Sequence, residues 1–510
     1  MTLPVPSTEE PISCIAIADH DARPAKKQKT KGDSQTPCQR PNDGSYVRRH
    51  PLGVRPSGNA LTASRNLKTA CGLFALLPDE LLMNLLEIMD ARVLLLLGGT
   101  CRALHAYTRN EELWRALFIE SPPDGFYWQG TWRSTYLSQS KAFEPSVDCS
   151  NLFSDALHRP FFCANVNLKT FVSNIPHQNQ IERITDIGYD EFASKWVNRP
   201  FILTEPVKRW PVYSSWSTSH LLEKYVDVPF RAETVDWPLQ TYVDYMNNSN
   251  DESPLYLFDR SFVEKMEIVV TQEPSVGAAY WPPTCFGPDS FSVLDSQRPD
   301  HRWLIVGPER SGSTFHKDPN ATSAWNAVLK GSKYWIMFPS SPNLPSPPGV
   351  YVSEDQSEVT SPLSIAEWLL GFHEQARKTP GCLEGICNEG EVLYVPSGWY
   401  HLVLNVEPSI ALTQNFVPRA RIGAVLQFLR DQKQSITGFS SDVENPYQLF
   451  VDRLEAQDPL ALKEGLRQLD ALDSSRKSKW EELTKADEKT TEEGFSFGFG
   501  GDDDDDAEVE

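Results

Sequence analysis

His316 and Asp318 stand two positions apart in Ser-Thr-Phe-His-Lys-Asp-Pro-Asn, residues 313–320. On an extended backbone both would project to one face, where an imidazole and a carboxylate from adjacent pleats can grip one metal ion. Alone the triplet is weak evidence, since a chain with ten histidines supplies about one His-x-acid by chance. Taken singly, His316 reads as an ordinary strand histidine, and Asp318, before Pro319, as a turn residue. A third ligand has a candidate in His401, within Gly-Glu-Val-Leu-Tyr-Val-Pro-Ser-Gly-Trp-Tyr-His-Leu-Val-Leu-Asn. There a strand from Glu391 to Val395 leads through a Pro396–Gly398 turn into a second strand.

Two histidines and one carboxylate that leave coordination positions open form the facial triad of non-haem Fe(II) oxygenases. A closed zinc site would want four protein ligands, usually with cysteine, and no cysteine lies near either segment. Iron so held can take a bidentate 2-oxo acid and still bind O₂. The acid's far carboxylate then needs a cation. Lys333, in Leu-Lys-Gly-Ser-Lys-Tyr-Trp-Ile-Met-Phe-Pro, sits among core-type residues, where a lysine is costly unless paired. Lys330, nearer the turn, reads as a solvated charge. In Ser-Ile-Ala-Leu-Thr-Gln-Asn-Phe, alternation puts Ala411, Thr413 and Asn415 on one face, small and hydrogen-bonding like a pocket lining. Ile410, Leu412 and Phe416 fall on the opposite, packing face.

These groups must be positioned by a chain of 510 residues, long enough for two or three domains with their own cores. From Leu255 to Pro418, short strands alternate with turn residues, which predicts a barrel or sandwich. Residues 339–390 read as an insertion between barrel strands, Pro/Ser-rich at first and then helical from Ser364, where Ser364-Ile-Ala-Glu367 fits a capping box. Before the barrel, Tyr-Asp-Glu-Phe-Ala-Ser-Lys-Trp, from Tyr189, predicts a helix that runs into a buried strand. Further upstream, Leu81, Leu82, Leu85, Leu86 and Met89 make an apolar stripe at helical spacing, the first of several short helices. Residues 1–70 read as a disordered arm, whose Lys26, Lys27, Lys29 and Lys31 suit a solvated linker or a nuclear-import signal equally. Helices are expected over 419–485, and 486–510 reads as a disordered acidic tail.

The net charge of −21, about a third of it in the last ten residues, argues against a general nucleic-acid binder. Nine scattered cysteines fit reduced thiols better than a disulfide framework. No apolar run is long enough to span a bilayer and no secretory signal stands at the N-terminus, so a soluble, nuclear or cytoplasmic protein is expected.

Two resemblances add to this reading. Leu77–Leu82, Cys101–Leu104 and Leu113–Arg115 resemble the F-box in order and spacing. That likeness covers 71–120 and implies that residues 73–118 dock on the adaptor of cullin-RING ubiquitin ligases. Residues 185–418, after a lead-in at 121–184, resemble the JmjC branch of the cupin-fold, Fe(II)- and 2-oxoglutarate-dependent oxygenases. The segments that carry it are Ser-Pro-Leu-Tyr-Leu-Phe-Asp, Gly-Pro-Glu-Arg-Ser-Gly-Ser-Thr-Phe-His-Lys-Asp-Pro, Thr-Ser-Ala-Trp-Asn-Ala-Val-Leu-Lys-Gly-Ser-Lys-Tyr-Trp, Val-Pro-Ser-Gly-Trp-Tyr-His-Leu-Val-Leu-Asn and Thr-Gln-Asn-Phe. The resemblance implies a double-stranded β-helix with flanking helices and a small all-α domain in front. It also implies iron on His316, Asp318 and His401, with Lys333 on the distal carboxylate of 2-oxoglutarate. Thr413, Asn326 and Tyr256 match further cosubstrate contacts, and Ser313 stands where the family has Thr. The implied reaction consumes O₂ and 2-oxoglutarate and oxidises protein side chains, by lysyl hydroxylation or N-methyl removal from Lys or Arg. Acidic composition suits basic peptide substrates. The alternatives are a ubiquitin-ligase adaptor that uses the cupin domain for target binding, and a cupin that holds metal without oxidising anything.

Overall fold

Gly331 turns the chain between two strands that are buried along nearly their whole length, and the architecture explains why neither alternates between buried and exposed residues. The computed structural model describes residues 47–491 except 140–146, 342, 355 and 357, with side chains described up to residue 475. In chain order the strands are β1 (Glu182–Ile184), β2 (Phe201–Leu203), β3 (Pro229–Ala232), β4 (Val235–Pro238), β5 (Leu257–Asp259), β6 (Arg302–Gly307), β7 (Gly312–His316) and β8 (Ser323–Lys330). They continue with β9 (Ser332–Phe338), β10 (Tyr351–Val352), β11 (Val359–Thr360), β12 (Leu383–Asn388), β13 (Val392–Val395), β14 (Tyr400–Asn405) and β15 (Ser409–Phe416). One sheet runs β1-β2-β13-β8-β15-β6-β5-β3-β4 and a second runs β12-β9-β14-β7.

The two sheets share one interior, because Ala324, Val328, Leu393 and Val395 of the first join Trp335, Met337, Cys387 and Val403 of the second in a single apolar cluster. Their outer faces are covered too. Trp325, Ala327 and Leu329 of β8 point into a large cluster with the N-terminal helices, while Tyr334, Ile336 and Phe338 of β9 pack on Ile365, Trp368 and Leu369. Strands buried on both faces lose the polar alternation of a half-exposed sheet. This is the cupin double-stranded β-helix.

The segment 339–390 is corrected in one respect. Leu383–Asn388 is a full barrel strand, β12, paired antiparallel with β9, so the insertion ends near Cys382. Within it the helix Ile365–Gly371 begins with the expected capping box between Ser364 and Glu367.

Order also begins earlier than the composition of residues 1–70 suggests. Val54 and Leu67 are buried, and the backbone of Arg55 exchanges hydrogen bonds with Leu152 and Ser154, so apolar anchors outweigh the Pro, Ser and Lys content of 47–70. The lysine cluster at 26–31 and the aspartates of 502–506 lie outside the described residues.

Four short helices, Asp79–Glu87, Ala91–Gly98, Arg102–Tyr107 and Glu111–Glu120, form the N-terminal helical domain. Of the apolar stripe on the first, Leu82 and Leu86 are buried with Met83, but Leu81 faces solvent. The domain is not a separate bead. Trp114, Phe118 and Trp132 share one core with Trp237 and Tyr245, and Phe118 meets Trp237 edge-on at 5.7 Å. C-terminal helices Ile422–Asp431, Pro446–Gln457 and Pro459–Thr491 close the far side, packing on Phe291, Leu294 and Val417.

Candidate active site

β7 and β14 pair antiparallel with His316 directly opposite His401, and the imidazole centroids lie 4.2 Å apart. Each Nδ1 meets a backbone carbonyl two residues upstream, His316 to Thr314 at 2.7 Å and His401 to Trp399 at 3.0 Å. If Nδ1 carries the proton in both rings, both Nε2 atoms are free lone pairs for a metal. Trp335 stacks on the His401 ring at 5.8 Å and holds its plane.

Asp318 reaches the same point by a different route from the one strand alternation predicts. β7 ends at His316, and Asp318 opens the 3₁₀ turn Pro319–Ala321, off the strand. The turn, made possible by positive φ at Asn320 and Ala321, brings the carboxylate round to the histidines. Ligand atoms of His316, Asp318 and His401 all lie within 4.8 Å of one another.

Asn415 Nδ2 donates to Asp318 Oδ1 at 3.2 Å and to Thr322 Oγ1 at 2.9 Å. Asp318 Oδ2 is buried with no hydrogen-bond partner. Burial pushes the Asp318 carboxyl above its ordinary range, and burial followed by the neighbouring His316 pushes His401 well below its own. An orphaned carboxylate oxygen beside two imidazole lone pairs is the donor set a ferrous ion would satisfy, so the residues fit the metal.

The lysine lies deeper, at the start of β9. Lys333 is fully buried and donates to Tyr256 Oη at 2.6 Å and to Asn405 Oδ1 at 2.7 Å. One of its three N–H groups is thus left for a ligand carboxylate. Burial pushes its ammonium down to about 7. Lys330 instead pairs at the surface with Glu389 at 2.7 Å. Asn326 sits on the inner side of β8 opposite Thr413, with its buried Oδ1 unpartnered, while Thr413 Oγ1 donates to Trp325 O at 2.8 Å. Ser313 and His316 line a cavity of about 390 Å³ together with Glu233, Glu252 and Arg310.

The structure therefore brings His316, Asp318 and His401 together and groups Lys333 with Tyr256. Asn415 is placed against Asp318, whose carboxylate it orients. Sequence reasoning missed Asn405, whose Nδ2 donates to Ser311 Oγ at 2.9 Å and so aims its carbonyl at Lys333. The signal was available: Asn405 follows His401 by four on a strand, on the same face, and is polar in an apolar run. Gly307 was missed as well, where a Cβ would come within 2.7 Å of both Asn405 Nδ2 and Tyr256.

Comparison with known proteins agrees with this fold. A family profile described as a Cupin-like domain matches residues 190–421, and an F-box-like profile matches 74–120. The Arginine-specific demethylase JMJ22 of Arabidopsis thaliana is 37% identical over 432 residues, covering 81% of this chain and 82% of the relative. The Lysine-specific demethylase JMJ21 of the same plant is 33% identical over 371 residues, 70% of this chain and 38% of its own. The Bifunctional arginine demethylase and lysyl-hydroxylase psr-1 of Caenorhabditis elegans is 33% identical over 258 residues, 47% of this chain and 62% of its own. The chain belongs to the JmjC family of cupin-fold, Fe(II)- and 2-oxoglutarate-dependent oxygenases, with an F-box-like domain ahead of the catalytic fold.

Proposed function

We propose that this oxygenase acts on protein side chains, hydroxylating lysine or removing N-methyl groups from arginine or lysine, with His316, Asp318 and His401 as its iron ligands. The observation that carries the site assignment is that one ligand atom from each of His316, Asp318 and His401 lies within 4.8 Å of the others, beside an Asp318 oxygen that has no hydrogen-bond partner. The names of the relatives support the substrate class, since they describe arginine and lysine demethylases and a lysyl hydroxylase. When bound, iron and 2-oxoglutarate supply oxidative decarboxylation coupled to oxidation of a C–H bond.

The chain's own residues do the rest. Lys333 holds the cosubstrate's distal carboxylate, with Tyr256 and Asn405 fixing the direction of its free N–H. Asn415 and Thr322 orient the Asp318 carboxylate, and the carbonyls of Thr314 and Trp399 orient the two imidazoles. Trp335, Met337 and Val403 close the interior side and exclude water. Iron-reconstituted protein, given 2-oxoglutarate and a methyl-arginine or lysine peptide, is expected to form succinate and to add oxygen to the peptide or remove a methylene from it. Turnover that survives His316→Ala would sink the assignment.

A second reading is favoured by a separate observation. Leu81, Leu95 and Leu96 on the first two helices of the F-box-like domain, and Ile88 just past the first, are exposed, a set of apolar side chains with no cover among the described residues. It suits docking on a ubiquitin-ligase adaptor, and this role can coexist with catalysis. Co-purification with that adaptor, lost in Leu81→Glu and Leu96→Glu, is the expected result; binding unchanged by either charge removes the reading.

A further inference from the structure

The cavity that opens on His316 carries three charged side chains besides that histidine: Glu233, Glu252 and Arg310. Two are already committed. Glu233 pairs with Arg115 of the F-box-like domain at 3.1 Å and accepts from the Tyr256 backbone N–H at 3.1 Å. Arg310 donates to the carbonyl of Val166 at 2.6 Å and to that of Cys163, so its guanidinium is held in the wall.

Glu252 differs. Its carboxylate accepts from the Ser364 hydroxyl and has the Cys163 thiol beside it, both uncharged donors, and no cation pairs with it among the described residues. Nearby Glu367 is also committed, to Arg159 at 2.8 Å and to the capping box with Ser364. Burial pushes the Glu252 carboxyl upward against the Ser364 hydrogen bond and the charge of Arg159, and among the described residues no cation makes a direct ion pair with this half-buried carboxylate. Such a group is costly in the free protein and strengthens any cation that enters the same cavity.

We propose that Glu252 is the specificity-determining residue that receives the cationic head of the substrate side chain, a guanidinium or ammonium, in the cavity that it lines together with His316. This rests on the reading that the enzyme oxidises protein side chains, and it deepens it by naming the charge-reading group. Ser364 and the Cys163 thiol hold the carboxylate in place, and its remaining lone pairs can accept from the incoming N–H groups. A substrate whose head is neutral would lose the counter-charge and keep only shape.

The test uses full-length protein loaded with manganese and 2-oxoglutarate. Its probes are short Gly/Ser peptides that carry one arginine or its citrulline twin, and one lysine or its norleucine twin. Wild-type protein is expected to bind at least one charged member about tenfold tighter than its neutral twin, the discrimination typical of a charge-assisted hydrogen bond. Glu252→Gln, close to isosteric and still able to accept from Ser364, should reduce that preference to near unity, and Glu252→Asp should restore part of it. In all three proteins the 2-oxoglutarate affinity should stay the same, which reports a folded site. A wild type indifferent to charge, or a preference that persists in Glu252→Gln, overturns the proposal. So does a second equivalent of manganese lost on Glu252→Gln, which would make Cys163, Glu252 and Glu367 a cation site instead. Failure of the oxygenase reading shows separately, as 2-oxoglutarate turnover that does not depend on His316.

Discussion

One oxygen of Asp318 is tied to Asn415 and the other has no partner, so the aim of this carboxylate depends on a single amide. Asn415→Ala should weaken ferrous binding by about tenfold or more while leaving the fold intact, as expected of a group that orients a ligand. Metal titration checks this, and an unchanged affinity would mean Thr322 or the turn alone suffices. Lys333 makes a second prediction. Its ammonium is pushed by burial from 10.5 down to about 7, so the unfolded chain holds that proton more tightly than the folded one. The free protein therefore gains stability from this residue as pH rises from about 7 toward 10.5. A carboxylate ligand needs the charged form, so 2-oxoglutarate binding at pH 8 should take up most of a proton, with affinity falling by up to about tenfold per pH unit above 7. Calorimetry in buffers of different ionisation enthalpy measures the uptake; affinity flat from pH 7 to 9 contradicts it.

At the scale of elements, the insertion acts as a clamp on the outer face of the small sheet. Glu384 of β12, completely buried, accepts from Arg377 at 2.9 Å and from Tyr334 at 2.7 Å, and Tyr334 meets His373 at 2.9 Å. Arg377 also donates to the carbonyls of Phe171 and Ser173, which ties the lead-in to the same point. Arg377→Ala leaves a buried carboxylate without its cation and should destabilise the protein by about 3–5 kcal/mol, measured by chemical unfolding. A loss near zero would mean that water reaches Glu384. The insertion was legible in the sequence as a Pro/Ser-rich interruption and a capping box, because those signals are local. Its end was not, because Leu383–Asn388 reads as strand only through its pairing with β9. Asp318 was misplaced for a related reason: strand alternation holds only to the last paired residue, and the pairing of β7 stops at His316.

For the whole molecule, the F-box-like helices and the cupin fold share one core. Arg115 reaches Glu233 and the Ser253 carbonyl, Trp132 Nε1 donates to Asp251 at 2.8 Å, and Glu233 in turn receives the backbone of Tyr256, which contacts Lys333. Arg115→Ala should therefore lower stability by about 1 kcal/mol and also raise the KM for 2-oxoglutarate with little change in kcat. Leu81→Glu, on the exposed face, should change neither. If Arg115→Ala moves only the melting temperature, the contact is structural and does not reach the cosubstrate pocket.

What the sequence determined by itself were the residues whose types have few alternatives: two histidines and a carboxylate near strand ends, a lysine in an apolar strand, and helical stripes with their caps. Each is set by chemistry or periodicity within a few neighbours. Tertiary structure alone decided that Asn405 aims Lys333, that Asn415 donates to Asp318, and that Glu252 lines the cavity without a direct ion pair among the described residues. Those roles depend on which partners meet across strands far apart in the chain, and hydrogen bonds and charge pairing are decided by distance in space, on which residue spacing is silent.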